Sequence, residues 1–315
     1  MYERPTDHSL RVPGLPNESV GIVGYGFIGR RIARLACERG SRVSILTRSG
    51  PGGDGVVIGD AADAATVGGF TEGLDHVVFA AGSAKPAESD MDPAGEVSKS
   101  LGPLLAVLEA VARNRVPRFT YLSSGGTVYG RTTGLASEET DQWPITTYGV
   151  LKLAAERFVA LYARQHGFSA DVLRCSNVYG PGQPSDGSQG VIGVFLGALK
   201  RGSGIRIYGD GSALRDFIHV DDLADVVLRL AEIQGGVRVL NVGSGSAVSI
   251  GAIAGLVIEA MAVNDAIEFL PPRPSDVPTV VLDITKLRSL IEFTPRSLKQ
   301  GLLALAEGYT MTRGA

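Results

Sequence analysis

At 315 residues, 44% hydrophobic and 20% charged, the chain can bury the core of one or two ordinary soluble domains. Its formal charge, 30 basic minus 33 acidic residues or −3, excludes a general nucleic-acid or anionic-membrane surface. Two cysteines, Cys37 and Cys175, exclude a disulfide framework, no apolar run reaches the roughly 18–20 residues of a membrane span, and His8, His76, His166 and His219 lack metal-ligand spacing.

Residues 1–18 are polar, carry Pro5, Pro13 and Pro16, and lack the apolar core of a signal peptide. They read as a loose extension of a cytoplasmic protein. A short apolar strand over 19–23 then runs into Gly24-Tyr25-Gly26-Phe27-Ile28-Gly29, and a helix over 30–39 ends at Gly40. Strands follow at 42–47, 56–58, 76–80 and 118–123, with a helix near 97–113 between the last two. This alternation predicts a Rossmann-type α/β fold, a doubly wound parallel sheet. A long amphipathic helix runs from about Tyr148 to His166, stopped by Gly167, and a strand follows at 170–174. From Gly180 the texture changes to a loop rich in Pro and Gly. A helix over 191–200, strands near 205–208 and 239–242, and helices near 250–261 and 284–291 then predict a smaller C-terminal α/β lobe. The expected organisation is a dinucleotide-binding domain over 19–180, with returning segments from the C-terminal half, and a mainly substrate-binding lobe over 181–315.

Gly24-x-Gly26-x-x-Gly29 follows a strand and opens a helix, the context in which the pattern binds a dinucleotide. Its glycines let the backbone approach a pyrophosphate at the helix N-terminus. Phe27 and Ile28 complete the loop. The next strand ends in Thr47, followed by Arg48 and Ser49, where an NAD enzyme carries an acid for the ribose 2′-hydroxyl. A guanidinium there suits a 2′-phosphate, so Arg48 favours NADP within the NAD(P) class; a solvent-facing loop arginine is the plainer alternative. Asp60 either reaches the adenine amino group or caps a turn. Ala80, Ala81 and Gly82, small residues at a strand end, let the cofactor pass close by.

Tyr148 and Lys152 lie four apart, on one face of the long helix. An ammonium beside a phenol lowers its pKa toward the working pH, which makes a general acid/base for hydride transfer at a hydroxyl.

These motifs, together with Ser123-Ser124-Gly125-Gly126-Thr127-Val128-Tyr129-Gly130, Arg174-x-x-Asn177-Val178-Tyr179-Gly180-Pro181-Gly182, Arg215-Asp216-Phe217-Ile218-His219-Val220-Asp221-Asp222 and Arg273-Pro274-Ser275-Asp276, resemble the extended short-chain dehydrogenases. The likeness is to their NAD-dependent epimerase/dehydratase branch, of UDP-galactose 4-epimerase type, from about residue 19 to 300. The resemblance implies a nucleotide-sugar oxidoreductase that interconverts a hydroxyl and a ketone, at C4 of an NDP-hexose. It assigns Tyr148 the proton, Lys152 the electrostatic support and a ribose contact, and a hydroxyl before Tyr129 the sugar oxygen. Asn177, Gln189, Arg215 and Arg273 fall to the substrate, the two arginines clamping its diphosphate. It also implies a homodimer through the helices near 97–113 and 147–166, whose apolar positions include Leu101, Leu104, Leu105, Leu108, Leu151, Ala154, Ala155, Phe158 and Leu161.

The chain departs from that pattern at particular residues. Gly125 stands where the family has its catalytic Ser or Thr, which leaves Ser124, slightly preferred, or Thr127 to supply the hydroxyl. Gly126 and Thr127 replace the acid pair of the dehydratases, so a 4,6-dehydratase is not expected. Lys99 takes the place of a common Asn. Three functions follow: an epimerase, an NADPH-dependent reductase of a 4-keto sugar, and a non-catalytic NADP-binding sensor. No metal is expected.

Overall fold

In a computed structural model, residues 18–82, 89–185, 190–233, 235–263, 267–272 and 279–311 are described; residues 1–17 of the N-terminal extension lie outside them. The strands in chain order are β1 Ser19–Val23, β2 Arg42–Thr47, β3 Val56–Ile58, β4 His76–Phe79, β5 Arg118–Ser124, β6 Leu135–Ala136, β7 Ser169–Cys175, β8 Asn177–Tyr179, β9 Ile205–Tyr208, β10 Leu214–Arg215, β11 Phe217–His219, β12 Val237–Val242, β13 Val248–Ser249, β14 Ile267–Leu270 and β15 Thr279–Leu282. Seven of them form one parallel sheet in the order β12-β7-β5-β4-β1-β2-β3. β1 and β4 are buried along their whole length, as strands covered on both faces must be. From β1 the chain winds outward to β2 and β3, then returns to β4 and winds the other way. The reversal opens a crevice above the carboxyl ends of β1 and β4, the place where open α/β sheets bind ligands.

Helices Phe27–Glu38 and Val220–Ala231 cover one face, where Ile32, Ala33 and Ala36 share a core with Leu223, Val226, Val227 and Leu230. Helices Pro93–Arg113 and Thr147–His166 cover the other, where Leu104, Val107 and Leu108 share a core with Ala155 and Val159. Helix Pro93–Arg113 starts four residues before its expected position, because Asp92 caps it and Pro93 sits in its first turn, where no amide is needed. Thr146 caps the long helix by accepting from Gly149 N–H at 3.1 Å, and Gly167 ends it in the left-handed conformation.

The smaller lobe holds a four-stranded sheet, β13-β10-β15-β6, and the pairs β11-β8 and β14-β9. Its core joins Ile192, Phe195, Leu196, Ile205, Ile253 and Val257. One expectation is corrected: the strand expected at 239–242 in this lobe is the edge of the large sheet, paired with β7 over 237–242. Helix Thr285–Leu290 follows it there, burying Leu287 in the large-sheet core. Helices Ala64–Phe70, Val220–Ala231 and Leu298–Met311 were not expected from the sequence. Among the described residues no helix is long and apolar enough to cross a membrane.

Candidate active site

The crevice is a cavity of about 350 Å³. Gly24, Gly26, Arg48, Asp60, Ala80, Ala81, Gly82, Tyr148 and Lys152, all expected at the site, line it together. Gly24 has φ +99°, and a Cβ there would lie 2.6 Å from the backbone of Ala81. Gly29 lies under the loop, where a Cβ would lie 2.0 Å from the Gly24 carbonyl oxygen. A Cβ on Gly26, by contrast, would meet nothing within 4 Å, so the space over the helix N-terminus is open. Small residues therefore hold a tight turn below and leave an anion-sized opening above, which fits a dinucleotide pyrophosphate. Phe27 and Ile28 are not among the lining residues. Ile28 packs on the large-sheet core.

Arg48 is exposed at the mouth of the cavity, beside Thr47, Ser49 and Asp60. The Asp60 carboxylate accepts from Ala62 N–H at 2.9 Å, so the turn-capping alternative holds, and the residue still lines the cavity. Arg30, which sequence reasoning missed, also lines it. Its Nε donates to the Tyr25 carbonyl at 3.0 Å, and its guanidinium lies 5.3 Å from the centre of the Tyr25 ring. Lys99 lines the cavity too, with its ammonium 3.4 Å from Glu96.

At the inner end, Lys152 Nζ donates to the Leu122 carbonyl at 2.8 Å and sits 4.8 Å from the Tyr121 ring centre and 5.7 Å from that of Tyr148. Burial pulls the ammonium down to about 8, against upward pulls from Cys175 and Glu156. The Tyr148 phenol behaves contrary to expectation. Burial, reinforced by Cys175, pushes it up to about 12, and a hydrogen bond with Ser124 draws it down only in part. Desolvation of the phenolate dominates, and the nearby ammonium donates to the Leu122 carbonyl instead.

The two candidate hydroxyls, Ser124 and Thr127, differ in their partners. Ser124 caps nothing and hydrogen-bonds the Tyr148 side chain. Thr127 turns its hydroxyl onto the Ser124 carbonyl at 3.4 Å. Gly125 is obligatory here: a Cβ would stand 2.7 Å from Leu282 and 2.9 Å from the Arg174 carbonyl oxygen.

Behind Lys152 lies a fully buried polar cluster. Arg174 donates to Glu156 through Nε at 3.1 Å and Nη2 at 2.8 Å, and Ser123 Oγ donates to the same carboxylate at 2.5 Å. Arg174 Nη1 also donates to Tyr129 Oη at 3.0 Å, and that hydroxyl donates to Asn241 Oδ1 at 2.6 Å. On the substrate side, Asn177 Nδ2 donates to the Asp216 carbonyl at 2.9 Å, and Arg215 donates to the Leu214 carbonyl at 2.9 Å. Asp216 accepts at its carboxylate from Ser244 N–H and Oγ–H, Gly245 N–H and Leu282 N–H, so it organises loops. Gln189 and Arg273 lie outside the described residues. Among the described residues no three His, Cys, Asp or Glu side chains converge on a metal position.

Comparison with known proteins gives the same reading. Residues 21–243 match the NAD dependent epimerase/dehydratase family. The chain is 31% identical to the UDP-glucose 4-epimerase of Mycolicibacterium smegmatis, over 80% of each chain. It is 31% identical to a Streptomyces dTDP-4-dehydro-6-deoxy-D-allose reductase, over 76% of this chain and 75% of that one. Its fold matches the UDP-glucose 4-epimerase of Thermus thermophilus, solved with NAD, at a TM-score of 0.83 and 28% identity, covering 94% of this chain and 99% of that one. With the glycine turn, the crevice at the strand reversal and the Tyr148–Lys152 pair in place, the chain belongs to the NAD-dependent epimerase/dehydratase family of extended short-chain dehydrogenases.

Proposed function

We propose that the protein is a nucleotide-sugar 4-epimerase. Hydride would leave a sugar carbon and return to its other face, while Tyr148, as its phenolate, takes the hydroxyl proton and then, as the phenol, returns it to the ketone oxygen. The observation that carries this is the pair Tyr148 and Lys152 lining the dinucleotide crevice, with Ser124 hydrogen-bonded to the Tyr148 phenol. A bound nicotinamide dinucleotide supplies the hydride acceptor and donor. Ser124 orients the phenol and the sugar oxygen. Lys152 holds positive charge beneath the phenol and reaches the ribose. Asn177, Arg215 and Arg273 serve the substrate diphosphate, and Gln189 falls to the substrate. The Asn177 amide already gives one proton to the Asp216 carbonyl, so its second N–H is the one left for a ligand.

A second reading, an NADPH-dependent reductase of an NDP-4-keto sugar, draws on two observations. Arg48 and Arg30 both line the cavity, with no acid between them at Thr47, which suits a 2′-phosphate. The Tyr148 phenol, pushed up to about 12, is protonated at neutral pH, the form that donates to a ketone. The reductase relative at 31% identity fits this as well. Cofactor released from purified protein separates the two: tightly held NAD(H) supports the epimerase, and empty protein that binds NADPH reversibly supports the reductase. Protein that binds neither sinks both.

The helices Pro93–Arg113 and Thr147–His166 lie side by side, and we infer that two copies pair through them as a four-helix bundle. Most of their apolar positions face inward. Leu104, Leu108, Leu151 and Ala155 are buried, while Leu161, Val97 and Val150 remain 46–51% exposed. Sedimentation at micromolar concentration checks it: a single species at 32.9 kDa removes the dimer.

A further inference from the structure

Glu156 takes no part in the chemistry as described, yet it is buried one helical turn beyond Lys152. Tyr148, Lys152 and Glu156 are spaced at i, i+4 and i+8, so they form one row on the helix Thr147–His166. A buried carboxylate is costly unless it is paired and hydrogen-bonded. Here it is held on three sides, by Ser123 Oγ–H at the end of β5 and by Arg174 Nε–H and Nη2–H from β7. Arg174 in turn reaches Tyr129, which reaches Asn241 on β12, and Asn241 Nδ2 donates to the Ala136 carbonyl at 2.8 Å and the Asp283 carbonyl at 3.1 Å. The cluster therefore ties the catalytic helix to three strands of the large sheet. Ser123 also adjoins Ser124, so the same carboxylate fixes the strand end that presents Ser124 to Tyr148.

We propose that Glu156 is a positioning residue for the reaction: clamped by Ser123 and Arg174, its carboxylate holds Lys152 charged and in place beneath Tyr148. The proposal rests on the reading that Tyr148 and Lys152 carry the reaction. Among the described residues, few groups touch or act on the Lys152 ammonium. They are the Leu122 carbonyl, the rings of Tyr121 and Tyr148, the Cys175 thiol and Glu156. Burial pushes the thiol up to about 12, so it is neutral at working pH. That leaves Glu156 as the anion among them. Facing Glu156 are Arg174, Ser123 and Lys152, and facing Arg174 are Tyr129 and the Glu138 carbonyl. Burial works against the ammonium, and the carboxylate works for it.

Glu156→Gln keeps the side-chain shape and removes the charge, but it strands Arg174. The double variant Glu156→Gln with Arg174→Gln removes both charges and guards against simple unfolding. Two readouts are taken from pH 6 to 9.5: kcat, and the dissociation constant of the reduced cofactor measured without substrate. Thermal melting shows that each variant is folded. In the wild type both readouts should worsen as pH rises past the midpoint of Lys152. In Glu156→Gln that midpoint should fall by about 1–3 pH units, the range for losing a nearby opposite charge, and in the double variant, which also removes the Arg174 charge, it should fall by less. An unchanged midpoint in the folded double variant, with or without a uniform loss of kcat, overturns the proposal and leaves the cluster as a brace. Tyr148→Phe, run in parallel, separates the two ideas: if it stays fully active, the underlying reading fails whatever Glu156 does.

Discussion

The two halves of the molecule carry information differently. In the sheet half, each piece of the cofactor site comes from one strand end and the helix or loop after it: Gly24–Gly29 after β1, Arg48 after β2, Asp60 after β3, Ala80–Gly82 after β4. In the smaller lobe, two-residue strands find partners far away in sequence. Leu135–Ala136 pairs with Val281–Leu282, and Leu214–Arg215 pairs with both Val248–Ser249 and Thr279–Val280. Nothing local specifies such pairs. They exist because groups such as Asp216 gather backbone amides from 244, 245 and 282 onto one carboxylate. Chemistry in the first half should therefore fail one residue at a time, and the second half should fail as an assembly.

The largest expected effect tests the first half of that contrast. Tyr148→Phe should lower turnover by roughly 10²–10⁴, the range for losing a general acid/base. Melting temperature and cofactor dissociation constant should barely move, because Phe keeps the ring beside Lys152 and loses only the hydroxyl that meets Ser124. Retained turnover would remove Tyr148 from the mechanism.

How much of this was legible follows from the same contrast. β1, β2, β3, helix Val191–Lys200 and helix Ile250–Met261 were readable to the residue, because apolar runs and flanking glycines bound them. The Tyr148–Lys152 spacing and the glycine turn were readable because each is one local motif. Helix Val220–Ala231 was not, although it is largely buried: Arg215–Asp222 reads as a signature, and nothing in it announces His219 as the cap, accepting from Asp221 N–H at 3.2 Å. Helix Ala64–Phe70 carries Gly68 and Gly69, so propensity speaks against it, and the Asp63 cap and burial of Val67 and Phe70 decide. The Tyr148 phenol was misjudged because spacing shows the nearby ammonium and not the loss of water around the ring. Arg30 and Glu156 were missed because a guanidinium on Tyr25 and a carboxylate on Arg174 are tertiary contacts.

The second half of the contrast has its own test in Asp216→Asn. The amide offers one acceptor oxygen where the carboxylate offered two, and it turns N–H groups toward backbone N–H donors. The expected cost is about 2–4 kcal/mol, from several strained or lost bonds at up to 3 kcal/mol each. Thermal melting should fall, KM for the sugar nucleotide should rise, and the cofactor dissociation constant should hold. If melting is unchanged, the lobe is not assembled through this carboxylate.

A smaller effect probes the cofactor end. Arg48→Asp places a carboxylate where a ribose hydroxyl would be gripped and a 2′-phosphate repelled. The ratio of NADPH to NADH dissociation constants should rise about 10–100-fold, worth roughly 1.4–2.8 kcal/mol at 1.4 kcal/mol per decade. Wild-type protein that already binds NADH more tightly would count against the NADP preference.

The smallest expected effect is acid sensitivity, and it divides between the two regions. His76, at the start of β4, is fully buried, and burial, with help from Arg118, holds its imidazole down to about 3. Its Nε2 lies 2.8 Å from Thr120 Oγ1. In the unfolded chain the same ring titrates near 6.5. Between those values the unfolded chain binds a proton that the folded chain refuses, so stability is complete above pH 6.5 and declines as pH falls. The slope from this residue approaches about 1.4 kcal/mol per pH unit below pH 6. His219, at the seam with the smaller lobe, is also lowered, to about 4, by burial first, then by Arg296 and Arg31 against Asp221. It adds in the same direction. Urea unfolding at pH 7, 6 and 5 in wild type and His76→Gln isolates the first contribution, since every other group is common to both. The variant should start less stable at pH 7 and lose less on acidification, so the two curves converge toward pH 5. Parallel curves would mean that His76 takes up its proton without unfolding the sheet.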